Sequence, residues 1–192
     1  MRKLVVTQFV SLDGVMEGPG GENEALGPWT FAFDRGDEGN KYKFDETMAS
    51  DAVLLGRVTY VGFAAAWPER GGDGGFADKF NSMPKYVVSS TLTDPEWNNS
   101  HVVDPANLTD EVNRLKSEGD GDINVAGSAT LVQALIDDDL VDEYHLMVFP
   151  VVLGQGKKLF QDGRPKTTLK LVSHQPVGPD GVIVLEYVPA RD

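Results

Sequence analysis

The sequence predicts one α/β domain, and three observations predict it. Short β-branched apolar runs alternate with segments of helical apolar spacing along most of the 192 residues. The stretch 122–160 reads as strand, helix, strand: an apolar run at 123–126, a Gly-Ser-Ala turn, then Leu131, Val132, Leu135 and Ile136 at helical spacing, the acidic break Asp137, Asp138 and Asp139, and a second apolar run at 144–153. Such a unit closes by a right-handed crossover. Two alternating segments, 168–175 and 182–188, flank Gly178, Pro179, Asp180 and Gly181 and read as a C-terminal β-hairpin.

The remaining elements follow in order. Residues 3–10 are the first strand, followed by Ser11, Leu12, Asp13 and Gly14 and by a Gly/Pro-rich segment at 18–28 that is expected to be irregular. A long loop in a compact domain is usually functional. Residues 33–50 read as a helix starting between 34 and 37, with Tyr42, Phe44 and Met48 as its apolar positions. A strand at 52–55 meets Gly56, which turns the chain into a helix at 57–65. A Gly-rich loop at 67–75, a helix at 76–83 stopped by Pro84, a strand at 85–89 and a brief strand at 101–103 come next. Asn107 or Thr109 is expected to cap a helix over 108–118. Pro150 marks a bulge or a strand edge. With no internal repeat and no linker, residues 1–192 form a single domain.

Composition narrows the functions. There is no cysteine, which removes disulfides, thiolate metal sites and a Cys nucleophile. His101, His145 and His174 have no partner at a metal-ligand spacing, so no metal is expected. Neither Gly-x-Ser-x-Gly nor a Walker motif occurs. Thirty acidic residues against 17 basic ones give a net charge of −13, which disfavours nucleic acid as a partner. The acidity fits a soluble, self-repelling surface or adaptation to high salt, and both readings stand. No apolar run is long enough to span a bilayer and the N-terminal residues enter a strand directly, so a cytoplasmic protein is expected.

In so acidic a chain the strand-to-helix junctions carry the chemistry. Backbone N–H groups and the positive end of the helix dipole make such a junction an anion site. Gly127, Ser128, Ala129 and Thr130, leading into Leu131, offer small residues where backbone must approach a pyrophosphate, with the hydroxyls of Ser128 and Thr130 as extra donors. Gly56, Arg57, Val58 and Thr59 form a second junction, and an Arg at a helix N-terminus is unfavourable unless an anion is near. Ser89 and Ser90 end a strand with two hydroxyls. Lys157 and Lys158 follow a Gly-rich turn and either face a phosphorylated substrate or only solubilise the turn. The candidate carboxylates for acid–base work are Asp13, after the first strand, and Asp34 or Asp37, at the start of the first helix.

Five segments carry a resemblance over nearly the whole chain: TQFVSLDGVMEG, AVLLGRVTYVGF, KYVVSSTL, VAGSATLVQAL and VDEYHLMVFPVVLGQGKKLF. Together they resemble the reductase domain of riboflavin biosynthesis, in the dihydrofolate-reductase-like superfamily. The resemblance implies a mostly parallel central sheet with helices on both faces, and an NADPH-dependent reductase of a nitrogen heterocycle. A ribosylaminopyrimidine phosphate is the first choice of substrate and a pterin or dihydrofolate the second. It implies that residues 15–29 close over the nicotinamide, that Arg57 reaches the ribose 2′-phosphate or the pyrophosphate, and that Thr59 donates to the pyrophosphate. Ser89 and Ser90 would contact the 2′-phosphate and adenosine. Ser128 stands where the family has the second glycine of a Gly-Gly turn, which argues against a cis peptide there. Trp29 followed by Asp34 imitates the substrate-holding pair of dihydrofolate reductases, and Asp13 lies in the shared Ser-Leu-Asp-Gly segment. A homodimer is implied as well. The alternative is a ligand-binding protein that keeps the nucleotide fold without turnover.

Overall fold

The computed structural model describes residues 2–71 and 75–190. Gly72, Asp73 and Gly74, within the loop expected over 67–75, lie outside the described residues. Eight strands among the described residues form one sheet: β1 (Leu4–Ser11), β2 (Ser50–Gly56), β3 (Lys85–Val88), β4 (Ser100–Val103), β5 (Asp122–Ala126), β6 (Glu143–Phe149), β7 (Leu169–Val177) and β8 (Val182–Pro189). Their order is β4-β3-β2-β5-β1-β6-β8-β7, with every pairing from β4 to β6 parallel and those of β8 antiparallel. The helices are α1 (Gly36–Ala49), α2 (Arg57–Ala66), α3 (Phe76–Ser82), α4 (Leu108–Ser117) and α5 (Ala129–Asp137). The chain is thus an α/β fold with a C-terminal hairpin, as its sequence predicts.

Strand periodicity sorts the core into two faces. Leu4, Val6 and Val10 of β1, Leu54 of β2 and Ile123 and Val125 of β5 pack against α4 and α5 through Leu108, Val112, Leu115, Leu131, Val132 and Leu135. On the opposite face, Val53, Leu55 and Val87 meet Tyr60, Phe80 and Trp97, while Met147, Phe149, Val182 and Val184 meet Trp29 and, at the periphery, Phe9 and Tyr42. Arg2 fixes the far end of the sheet: its Nε donates to the Gly121 carbonyl at 2.7 Å and its Nη1 to the Glu118 carbonyl at 2.9 Å, just beyond the C-terminus of α4. A cation suits that end of a helix dipole.

Three local expectations are corrected. The last parallel strand stops at Phe149 rather than running to 153, because Pro150 has no N–H to continue the ladder. Neither Asn107 nor Thr109 caps α4: the Asn107 side chain makes no capping bond, and the Thr109 hydroxyl donates to Asp138 at 2.7 Å. In α1 the residues facing the sheet are not an apolar stripe, since Lys43, Glu46 and Thr47 lie there alongside Tyr42. Among the described residues no helix is long and apolar enough to cross a membrane.

The α5 seam tests this packing. Leu135 is fully buried between α5 and the sheet, so Leu135→Ala is expected to lower unfolding stability by about 2–5 kcal/mol, through lost transfer energy and a cavity. Urea unfolding measures it, and a loss below about 1 kcal/mol would mean that α5 is not seated as described.

Candidate active site

A cleft of about 1920 Å³ opens at the C-terminal edge of the parallel strands. There β2 and β5 end side by side and each runs directly into a helix. Ser128 clips the two junctions together. Its Oγ accepts the Gly56 N–H at 2.9 Å, and its own N–H donates to Thr59 Oγ1 at 2.9 Å. Gly127 and Ser128 both take positive φ, +56° and +61°, and a Cβ on Gly127 would stand 3.1 Å from the Thr59 side chain. Glycine is therefore required at 127 by both backbone and contact. The described peptide bonds include no cis bond.

Charge is arranged to suit an anion at this edge. The first turns of α1, α3 and α4 carry Asp37 and Glu38, Asp78, and Asp110 and Glu111, as helix dipoles favour. The first turns of α2 and α5, which open on the cleft, carry no acid. In a chain of net charge −13 this leaves both N-termini free for an external anion.

The predicted cofactor residues all line this one cleft: Gly56, Arg57, Val58, Thr59, Ser89, Ser90, Gly127, Ser128, Ala129, Thr130 and Leu131. Arg57 is exposed at the mouth. The hydroxyl of Ser128, expected as a ligand donor, instead donates to the Ala126 carbonyl at 3.1 Å. Ser89 Oγ accepts the N–H groups of Thr91 and Leu92, building the turn after β3. Lys157 also lines the cleft, and its backbone is tied to the 15–29 loop: Lys157 N donates to Glu17 Oε2 at 2.9 Å, and Met16 N to the Lys157 carbonyl at 2.9 Å. Gly156 makes room for that contact, since a Cβ there would meet Val15 Cγ1 at 2.7 Å. Residues 16–20 of the loop form one wall.

Asp13, Asp34 and Trp29 are placed differently, outside the cleft lining. Asp13 holds a turn together. Its carboxylate accepts from Ser11 Oγ at 2.6 Å and from the N–H groups of Gly154 at 2.7 Å and Leu153 at 3.1 Å, and these bonds hold its pKa down to about 2. Asp34 is exposed and accepts the Gly36 N–H at 2.8 Å, at the start of α1. Trp29 is 6% exposed, its ring edge-on to Phe149 at 5.6 Å and its Nε1 donating to the Glu17 carbonyl. Its neighbours Thr30 and Phe31 reach the cleft instead.

Of the carboxylates that line the cleft, Glu17, Glu22, Asp45, Glu46 and Glu69, Glu46 is the one tied to Thr7, Lys43 and His145. Its side chain, 6% exposed, accepts from Thr7 Oγ1 at 2.8 Å, from Lys43 Nζ and from His145 Nδ1 at 2.9 Å. His145 Nε2 meets Glu143 Oε2 at 3.2 Å, and Glu143 pairs with Lys3 at 2.7 Å. Burial opposes the charge on Glu46, but Lys43 and His145 outweigh it and hold the pKa at about 2. Burial likewise works against the imidazolium of His145, yet Glu46, Glu186 and Glu143 raise its pKa above the usual value. Sequence reasoning passed over this cluster because its members lie on three separate segments. The available signal was Thr7, a polar residue on the buried face of a β-branched strand.

His145 holds its proton more tightly folded than unfolded. Its stabilisation is therefore complete below about pH 6.5 and fades as pH rises through the folded value. Glu46 is depressed, so its share is present above about pH 4.5 and fades only as pH falls toward 2. Urea midpoints of the wild type and His145→Gln, compared at pH 5.5, 7 and 8.5, are expected to differ most at pH 5.5 and to draw together as pH rises. A pH-independent gap would show that folding leaves the His145 pKa unshifted.

Comparison with known proteins agrees with this architecture. The model of the RibD C-terminal domain matches residues 2–183. The uncharacterized protein YyaP of Bacillus subtilis (strain 168) is 30% identical over 189 residues, covering 97% of this chain and 94% of its own. YwjB of the same organism is also 30% identical, over 98% of this chain and 99% of its own. Among solved structures, a putative riboflavin biosynthesis protein from Shewanella sp. PV-4 superposes with a TM-score of 0.70 at 19% identity, over 98% of this chain and 99% of that one. A pyrimidine reductase-like protein from Corynebacterium diphtheriae gives 0.66 at 14%, over 100% and 93%. A diaminohydroxyphosphoribosylaminopyrimidine deaminase/5-amino-6-(5-phosphoribosylamino)uracil reductase from Thermotoga maritima gives 0.65 at 14%, over 98% of this chain and 57% of that one. A shared fold and a match over nearly its full length place the chain in the RibD C-terminal domain family.

Proposed function

We propose that the protein is an NADPH-dependent reductase of a flat nitrogen heterocycle. The observation that carries this reading is the pair of acid-free helix N-termini, clipped together by Ser128 at the ends of two adjacent parallel strands. A dinucleotide pyrophosphate fits that junction, with the N–H groups that begin α2 and α5 as donors and Gly127 allowing close approach. Ser89 and Ser90 lie one strand further out, where the adenosine end would extend, and Arg57, at the start of α2, is a cation available to a ribose 2′-phosphate. The other end of the cleft, past β1, holds Phe9, Lys43 and Glu46 beside the 16–20 wall.

NADPH, when bound, supplies the hydride. Reduction of a C=N or C=O group also takes up one proton, and the Lys43 ammonium and Thr7 hydroxyl are donors beside Phe9 and Glu46 at that end of the cleft. Glu46 orients both, and His145 positions Glu46. Asp13 and Asp34 keep structural tasks in this scheme.

A ribosylaminopyrimidine phosphate or a pterin is the substrate class that family membership favours, and a homodimer and a cytoplasmic location accompany it. The second reading, a ligand-binding protein without turnover, is favoured by the absence of both expected acids from the cleft. Stopped-flow oxidation of bound NADPH against a panel of pyrimidines and pterins separates the two: binding without oxidation in any member supports the second.

Titration of Trp and cofactor fluorescence tests the cofactor assignment. NADPH is expected to bind much more tightly than NADH. Arg57→Ala should weaken NADPH binding by about 1–3 kcal/mol, roughly 5- to 140-fold, and leave NADH nearly unchanged. Equal losses for both would remove Arg57 from the 2′-phosphate, and no binding of either would sink the reductase reading.

A further inference from the structure

Arg35 lines the cleft, and the reductase scheme gives it no task. It immediately precedes α1 and is half-buried. Its Nε donates to Asn40 Oδ1 at 2.8 Å, and its guanidinium carbon lies 5.4 Å from the centroid of Phe9. Gly39 seats its stem: a Cβ there would stand 2.9 Å from Arg35 Cβ and 3.0 Å from its Cγ. Helix α1 thus gives up a side chain in its first turn to let this Arg lie down.

A partly desolvated cation is normally paired with an acid. Asp34, Asp37 and Glu38 are its near neighbours in sequence, yet no carboxylate among the described residues lies within 4.0 Å of its guanidinium. Lys41 and Lys43, further along the same helix, are paired with Asp45 and Glu46. Burial depresses the Arg35 pKa, as expected for a cation without a counter-charge. The Lys43 ammonium lies 5.5 Å from the same Phe9 ring, so two cations share one aromatic side chain at this end of the cleft. Phe9 belongs to β1, three strand spacings, roughly 14 Å, from the β3 end that carries Ser89 and Ser90. An anion at Arg35 is therefore separate from the cofactor's 2′-phosphate.

We propose that Arg35 is a specificity-determining anchor for an oxyanion, carboxylate or phosphate, carried by the substrate. With Nε engaged by Asn40, the two Nη groups form the free edge of the guanidinium and present a fork to two oxygens of one anionic group. The Phe9 ring lies beside that fork. Neutral heterocycles would be discriminated against because they leave the guanidinium buried without a partner. Assigning the oxyanion to the substrate rests on the reductase reading; the anion site itself does not.

The test saturates the protein with NADPH, which fills the phosphate sites of the cofactor, and titrates inorganic phosphate and benzoate separately at constant ionic strength, read by amide chemical shifts. Wild type is expected to bind at least one of the two. Arg35→Met should weaken that anion tenfold or more, Arg35→Lys should recover part of the loss, and the NADPH dissociation constant should stay unchanged in both variants. Preference for phosphate identifies a phosphoester substrate, and preference for benzoate a carboxylate. Equal anion affinity in wild type and Arg35→Met, no anion binding to wild type, or loss of NADPH binding in a folded Arg35→Met would each overturn the proposal. Should wild type fail to bind NADPH, the same titration on the free protein still decides: Arg35-dependent anion binding would uphold the site while the reductase reading fell.

Discussion

The structure depends on the two hydrogen bonds that Ser128 makes across the ends of β2 and β5. Each of these strands runs into a helix whose first turn has N–H donors without an intrahelical partner. Two such ends side by side favour water or an anion. Ser128 satisfies one donor of the β2 junction and is itself held by Thr59, so the two helices cannot drift apart. The arrangement needs left-handed backbone at both 127 and 128, and only 127 is glycine. A serine in that conformation is strained by roughly 1 kcal/mol or more, a cost offset by the bonds its hydroxyl makes.

The surface charge reads differently once this edge is known. A net charge of −13 is not spread evenly over the helix termini, because acids occupy the starts of α1, α3 and α4 and are withheld from α2 and α5. The strongly negative surface therefore surrounds a cleft whose own fixed dipoles are positive. A polyanionic cofactor approaching such a protein is repelled at long range and held only at short range, within about a Debye length of ~8–10 Å. Affinity for it should rise with salt until the site itself is screened.

How much of this was legible in the sequence follows from what each signal measures. The two phosphate-edge junctions were readable because their signal is local: a strand, a glycine and a helix within a dozen residues, as at Gly56 and Gly127. The C-terminal hairpin was readable for the same reason. The polar cluster at the other end was not, since Thr7 and His145 meet only through the strand register that pairs them and Glu46 meets them only through the seat of α1. Trp29 and Asp34 drew attention by imitating a familiar pair, but the loop before α1 folds Trp29 inward onto Phe149 and leaves Asp34 to the helix start. Spacing alone carries no information about which way a loop turns.

The polarity of α1 connects these observations. A helix on a sheet ordinarily buries an apolar stripe, and packing then closes the interface. Here the contacts of α1 are largely polar: Lys43 and Glu46 to Thr7 and His145, and the Tyr42 hydroxyl donating to Glu186 at 2.9 Å. Such contacts hold the helix at fixed points and leave open space between them, which is why the cleft runs past β1 along α1 toward α2. Their strength also depends on ionisation, because Glu46 must be charged and His145 protonated for the seam to be complete. The width of the cleft and the charge state of its floor are therefore one property. A ligand that places an anion beside Lys43 would compete with Glu46 for that ammonium and would loosen α1 as it bound.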